Sequence, residues 1–174
     1  GRRFSHECDV PSTASIVTER DVVFVSVALP LNHAVLAPNR ADDAMATQRA
    51  VECWYLAGLS LGGAMACRYA ADNAAEFDGL VLHAAYCDTD ISQTDLRVLS
   101  VLGTDDSVLN ADRERKRRAL LPADAEIVEL DSVNHAGFGA YGSQRGDTPA
   151  PHEPSALRAD VAAVPGSGLG KPNL

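Results

Sequence analysis

Three residue types, in a fixed order along the chain, point to nucleophilic catalysis: Ser60, then an aspartate at 105 or 106, then His135. A serine hydroxyl is a poor nucleophile at neutral pH and needs a base beside it. A histidine can take that proton and later return it to the leaving group. A carboxylate then fixes the imidazole tautomer and stabilises the imidazolium. Ser60 is the centre of Gly58-Leu59-Ser60-Leu61-Gly62. The pentapeptide is common by chance, so its weight comes from its flanks. Cys53 to Ala57 reads as a short buried strand. Leu61 to Ala75, rich in Ala, Leu and Met, reads as a helix. A serine on a sharp turn between strand and helix projects its side chain away from the backbone. Gly58 and Gly62 are expected to flank that turn because side chains there would collide with the strand and helix.

A serine on such a turn needs partners from neighbouring elements, and the remaining chain supplies them. Val22 to Ala28 is a nearly continuous β-branched strand ended by Pro30, and Asn39 or Asp42 caps a helix running to about Val51. After the elbow helix, Asp78-Gly79 turns into a strand at Leu80–Ala85, and a further strand follows at Val98–Leu102. Asn110–Leu121 is a helix with a basic middle, and Glu126–Leu130 is a more exposed strand. Asn134–Gly146 is a Gly-rich loop, and Ala156–Val164 a last short helix. Strands alternating with helices, several of them continuously apolar, imply an α/β fold with a mostly parallel, doubly wound sheet. In such sheets reactive groups gather beyond the carboxyl ends of the strands. Ser60, the Asp105-Asp106 pair and His135 each follow a strand end. No internal repeat interrupts this order.

Composition narrows the classes. The 174 residues suffice for one domain with its own core. Acidic residues number 24 against 15 basic, a net charge of −9, which argues against nucleic-acid binding. The run Arg113-Glu114-Arg115-Lys116-Arg117-Arg118 is therefore read as a solvated helix face. No stretch approaches the ~18 apolar residues of a membrane helix, so no membrane association is expected. The acidic balance suits a salt-rich cytoplasm, and a cytoplasmic location is expected. Cys8, Cys53, Cys67 and Cys87 have no metal-like spacing. They are expected to be buried free thiols rather than disulfides. Neither a metal site nor a phosphate or dinucleotide loop is present, so no cofactor is implied.

The chain resembles the bacterial and archaeal α/β-hydrolases of the fold-5 group over roughly residues 20 to 164. The resemblance lies in Pro30-Leu31-Asn32, Ala37 to Asp43, Leu59 to Ala66, Gly103-Thr104-x-Asp106, and the Asn134-His135 to Tyr141-Gly142 loop. It implies an α/β-hydrolase fold and hydrolysis of a small-molecule ester or related acyl substrate through an acyl-serine. It implies Ser60, Asp106 and His135 as the triad, the family spacing favouring Asp106 over Asp105. It also implies the Leu61 backbone N–H as one oxyanion donor. Members of the group carry a further strand and a Gly-containing loop upstream of the Val22 segment, which supply the second donor. Residues 1–20 hold no His-Gly or Gly-Gly turn for that part. The expectation is a chain N-terminally truncated relative to the family, with residues 12–19 an improvised substitute as the alternative. A non-catalytic, ligand- or partner-binding relative is the competing reading.

Other residues divide between binding and packing. His33, after the first strand, and Phe138 and Tyr141, in the last loop, are candidates to line the acyl pocket. His83 reads as a sheet-face histidine, and Cys67 as packing. Some 45 residues separate Ser60 from Asp106, too few for a large lid, so an open pocket is expected. The domain limits are an irregular segment at 1–15, an α/β-hydrolase domain at 16–164 and a flexible tail at 165–174. The oligomeric state is left open.

Overall fold

The computed structural model describes residues 51, 53–139 and 142–149, together with helical positions Met45, Ala46 and Ala156. The Val22–Ala28 strand, most of the two flanking helices expected at about 39–51 and 156–164, His33 and Tyr141 lie outside the described residues.

Four strands form a parallel sheet in sequence order: β1 (Tyr55–Leu59), β2 (Gly79–His83), β3 (Arg97–Gly103) and β4 (Glu126–Leu130). Helix α1 (Leu61–Asp72) joins β1 to β2, and α2 (Ala111–Arg117) lies between β3 and β4. The α/β reading with a parallel sheet is therefore the observed architecture over the described residues. Side chains alternate across the sheet, as strand geometry demands. Leu80, Leu82 and Val98 face a core containing Cys67 and Ala70 of α1, Phe77, Ile91 and Leu121. Val81, Leu99 and Val101 face the opposite side, packed with Val128, Leu130 and Phe138.

Boundaries shift modestly from the sequence reading. β1 starts at Tyr55 because Trp54 and Asp78 first close a pair of bonds. The Trp54 N–H donates to Asp78 Oδ2 at 2.7 Å, and the Asp78 N–H donates to the Trp54 carbonyl at 2.8 Å. Helix α1 ends at Asp72 rather than Ala75, because Asn73 turns both its backbone N–H and its side-chain amide onto the Tyr69 carbonyl. α2 opens on Asn110, whose side chain accepts from the Arg113 N–H at 2.8 Å.

The basic run is only partly a solvated face. Glu114 is buried and holds Arg118 through both carboxylate oxygens, at 2.8 and 3.0 Å, while Arg118 also reaches Glu129 at 2.9 Å. These contacts hold the Arg118 guanidinium firmly in its charged form.

Two expectations fail. The cysteines are not free thiols: Cys67 and Cys87 form a disulfide with Cα atoms 5.5 Å apart, and Cys53 is disulfide-bonded as well. The physical reason is packing. Cys67 lies on the buried face of α1, and the loop after β2 runs directly beneath it, with Ala85 and Cys87 in the same core. Nor does Gly62 avoid a collision, because a Cβ there meets nothing within 4 Å. At the elbow the crowded glycines are Gly58 and Gly63. A Cβ on Gly58 would lie 2.5 Å from Gly62 and Gly63 backbone atoms, and one on Gly63 would lie 2.5 Å from the Ala85 Cβ.

Candidate active site

The carboxyl edge of the sheet is built by hydrogen bonds that run one step past each strand. The Ser60 N–H donates to the His83 carbonyl at 2.9 Å, Ala84 to Val101 at 2.9 Å, and Thr104 to Leu130 at 3.0 Å. Each loop that follows a strand is thus tied to the end of the next strand. Ser60 and Asp106 lie in loops tied in this way, and the Asp105 N–H, donating to the Val133 carbonyl at 3.1 Å, joins the loop that carries His135 to them.

Ser60 sits between β1 and α1 with φ 52° and ψ −122°. A non-glycine residue at positive φ costs about 1–3 kcal/mol and persists only where the surroundings enforce it. Here they do: α1 folds back so closely over β1 that only Gly58 and Gly63 fit at the crossing. The Ser60 side chain does not cap α1. The Leu61 N–H, first in the helix, has no hydrogen-bond partner among the described residues. Such unpaired N–H groups at the positive end of a helix favour negative charge.

His135 opens a 3-10 turn (His135–Phe138) that Asn134 caps, its side chain accepting from the Gly137 N–H at 2.9 Å. His135 Nδ1 lies 2.7 Å from Asp106 Oδ2, and the two side chains are 2% and 1% exposed. The other Asp106 oxygen, Oδ1, accepts from the Val108 and Leu109 N–H groups at 2.9 and 2.8 Å. The carboxylate is therefore fully engaged, one oxygen by backbone and the other by imidazole. The Asp105 carboxylate does not share in this pair; its backbone N–H donates to the Val133 carbonyl. With Asp106 accepting, the imidazole carries its proton on Nδ1, between the two groups.

The structure thus joins Asp106 to His135, while the Ser60 hydroxyl makes no hydrogen bond to His135. Phe138 stacks on His83 with ring centroids 6.1 Å apart and packs on the Val81–Val101 face. Burial pushes the His83 imidazole toward its neutral form. Leu61 (57% exposed) and Val108 (36% exposed) are exposed apolar side chains on the same edge. A cavity lined by Arg118, Leu121, Ala125 and Ile127 opens at the other end of β4 and is not part of this site. Among the described residues, no group of three or more His, Cys, Asp or Glu side chains could hold a metal ion. No helix among them is long and apolar enough to cross a membrane.

Sequence reasoning missed one residue. Asp147 accepts backbone N–H groups from both the aspartate loop and the histidine loop. The only signal for it is an acidic residue in the Gly-rich stretch after the histidine, which does not reveal its partners.

A parallel sheet carrying a serine on a strained strand–helix turn, with a buried Asp–His pair at the same edge, defines the class of α/β hydrolases. The chain belongs to the alpha/beta hydrolase family, whose model matches residues 6–158. Among solved structures, it is similar to a predicted CIB-like hydrolase from Thermoplasma acidophilum, at 15% identity and a TM-score of 0.54, covering 80% of this chain and 63% of that one. It is also similar to MGS-MChE2, an alpha/beta hydrolase enzyme from the metagenome of Mar Chica lagoon sediments in Morocco (16% identity, TM-score 0.51, covering 65% and 66%). A third is the Paleococcus ferrophilus monoacylglycerol lipase (15%, 0.51, 75% and 74%). The chain spans less than two thirds of the length of the first two. At these identities the likeness is one of fold. No curated protein matches the chain in sequence.

Proposed function

We propose that this chain is a serine hydrolase that cleaves a small ester or related acyl compound. Ser60 is the nucleophile, His135 the general base and then acid, Asp106 the carboxylate that orients His135, and the Leu61 N–H one oxyanion donor. The observation that carries this reading is the buried 2.7 Å Asp106–His135 contact at the sheet edge that also bears the strained Ser60.

The steps follow from these groups. His135 Nε2 takes the Ser60 proton as Oγ attacks the acyl carbon, and Asp106 stabilises the resulting imidazolium. The negative charge on the acyl oxygen is met by the Leu61 N–H and the positive end of α1. His135 then protonates the departing alcohol, leaving an acyl-serine. Water, activated by the same imidazole, releases the acid. The exposed Leu61 and Val108 suit an apolar acyl group better than a sugar or phosphate. His33 and Tyr141 remain candidate pocket residues of this reading. Phe138, packed on His83, acts chiefly by anchoring the histidine turn. The substrate is a small molecule, with no nucleic-acid or membrane partner and no cofactor.

The absence of a Ser60–His135 hydrogen bond favours a second reading, a non-catalytic ligand-binding relative. Catalytic hydrogen bonds are often long in unliganded enzymes and tighten in the substrate complex, so we prefer the first. A fluorophosphonate probe decides between them. Labelling that disappears in Ser60→Ala supports the hydrolase, and a folded protein that does not label defeats it. A cytoplasmic location remains a proposal, against which the disulfides weigh, since such bonds persist mainly in oxidising compartments. Thiol alkylation in freshly opened source cells tests it.

A further inference from the structure

We propose that Asp147 is a positioning residue that sets the Asp106–His135 geometry by clamping the two loops that carry the pair. Its Oδ1 accepts from the His135 N–H at 3.2 Å, the Ser107 N–H at 3.3 Å and the neighbouring Thr148 N–H at 3.0 Å. Its Oδ2 accepts from the Ala136 N–H at 2.9 Å. One carboxylate therefore holds the residue after Asp106 together with the first two N–H groups of the histidine turn. Those two belong to a turn whose first N–H groups have no partner within it, so a carboxylate there supplies what the local backbone lacks.

The segment that presents Asp147 is fastened on both sides. Asn134 Nδ2 donates to the Thr148 carbonyl at 2.7 Å, and the Ser107 and Thr148 hydroxyls are in contact. The hydrogen bonds of the Asp147 carboxylate all go to backbone N–H groups rather than to the His135 ring or Ser60. It acts through backbone, fixing where the His135 Cα stands relative to Asp106. A histidine tied to its acid at 2.7 Å tolerates little displacement of either loop. The catalytic meaning of this clamp rests on the proposed Ser60 chemistry; the clamp itself does not.

The test uses the full chain and two variants, Asp147→Ala and Asp147→Asn. In Asp147→Asn the amide NH2 must face one set of N–H donors, so even an isostere breaks the clamp. The first readout is proton NMR of the His135 Nδ1–H, which requires no activity. The wild type should give an exchange-protected, hydrogen-bonded proton that vanishes in Asp106→Ala. In both Asp147 variants that signal should broaden or disappear while the far-ultraviolet spectrum is unchanged. The second readout is steady-state hydrolysis, in which kcat should fall by about 10–10²-fold with KM within about threefold. Added acetate should restore part of the loss in Asp147→Ala. An unchanged Nδ1–H signal in a folded variant overturns the proposal. So does unfolding of both variants, which would make Asp147 a general support of the fold. If the wild type neither labels nor turns over, the hydrolase reading fails, and the NMR arm still judges the clamp.

Discussion

Replacing Asp106 by asparagine tests the proposed chemistry at a single oxygen. In the wild type Oδ1 accepts from two backbone N–H groups, at 2.9 and 2.8 Å, and Oδ2 lies 2.7 Å from His135 Nδ1. An asparagine can keep only one of these arrangements. If its oxygen stays on the Val108 and Leu109 N–H groups, its NH2 points at Nδ1. The imidazole must then accept at Nδ1 and carry its proton on Nε2, where it cannot take the Ser60 proton. If the amide flips, its NH2 faces two N–H donors, and each lost buried bond costs about 1–3 kcal/mol. The unflipped form therefore wins, and the variant folds with the wrong tautomer. Loss of a triad carboxylate in this manner lowers turnover about 10⁴-fold, equivalent to about 5.5 kcal/mol of transition-state stabilisation. The assay is kcat/KM on short-chain p-nitrophenyl esters, with unfolding by urea as the control for stability. Asp105→Asn, made in parallel, should stay within about threefold of wild type. Activity of Asp106→Asn within tenfold of wild type would refute the reasoning, as would an equal loss in Asp105→Asn.

Two further outcomes concern the elbow. Gly58→Ala drives a Cβ to 2.5 Å from Gly62 and Gly63 backbone atoms, which cannot rotate away, so a loss of about 3 kcal/mol or more is expected. Gly62→Ala meets open space and, as a glycine replaced within a helix, should be neutral or stabilising by up to about 1 kcal/mol. Urea midpoints of the two variants, if similar, would contradict this account. The Cys67–Cys87 bridge closes a loop of sequence separation 20, for which the chain-entropy model gives about 3 kcal/mol. A Cys67→Ala/Cys87→Ala double variant should lose about that much in urea unfolding, and an unchanged midpoint would show the bridge to be energetically idle.

What could be read from the sequence was whatever has a local signature. Leu80, Val81 and Leu82 are apolar without interruption, and Val98 to Leu102 broken only by Ser100, because the sheet is covered on both faces, and such runs are visible in one dimension. The turn at Ser60 was legible for the same reason, since strand, glycine and helix are contiguous. What escaped depends on distances across the fold. Gly62 and Gly63 are indistinguishable in sequence, and only the approach of Ala85 singles out the second. Cys67 and Cys87 are brought together by α1 lying over the loop after β2, and a spacing of 20 residues carries no mark of it. Which of Asp105 and Asp106 faces His135 turns on a one-residue rotation of the chain, set by the Thr104–Leu130 and Asp105–Val133 backbone bonds.

These backbone bonds also explain why the candidate site depends so little on its own side chains. Ser60, Ala84 and Thr104 each donate a backbone N–H to the end of the neighbouring strand, so the three loop origins are fixed by the ladder that makes the sheet. Side chains then adjust only the last step: Asp106 by two N–H donors, Asn134 by the Gly137 N–H, and Asp147 by N–H groups from both loops. A substitution in a strand core should therefore lower stability and activity together. Loss of Asp106 or Asp147 should separate them, because the ladder survives and only the aim of His135 changes. That separation distinguishes a site held for chemistry from polar groups that merely satisfy one another. A non-catalytic relative would need the ladder but would not require the imidazole to present Nε2 as a base.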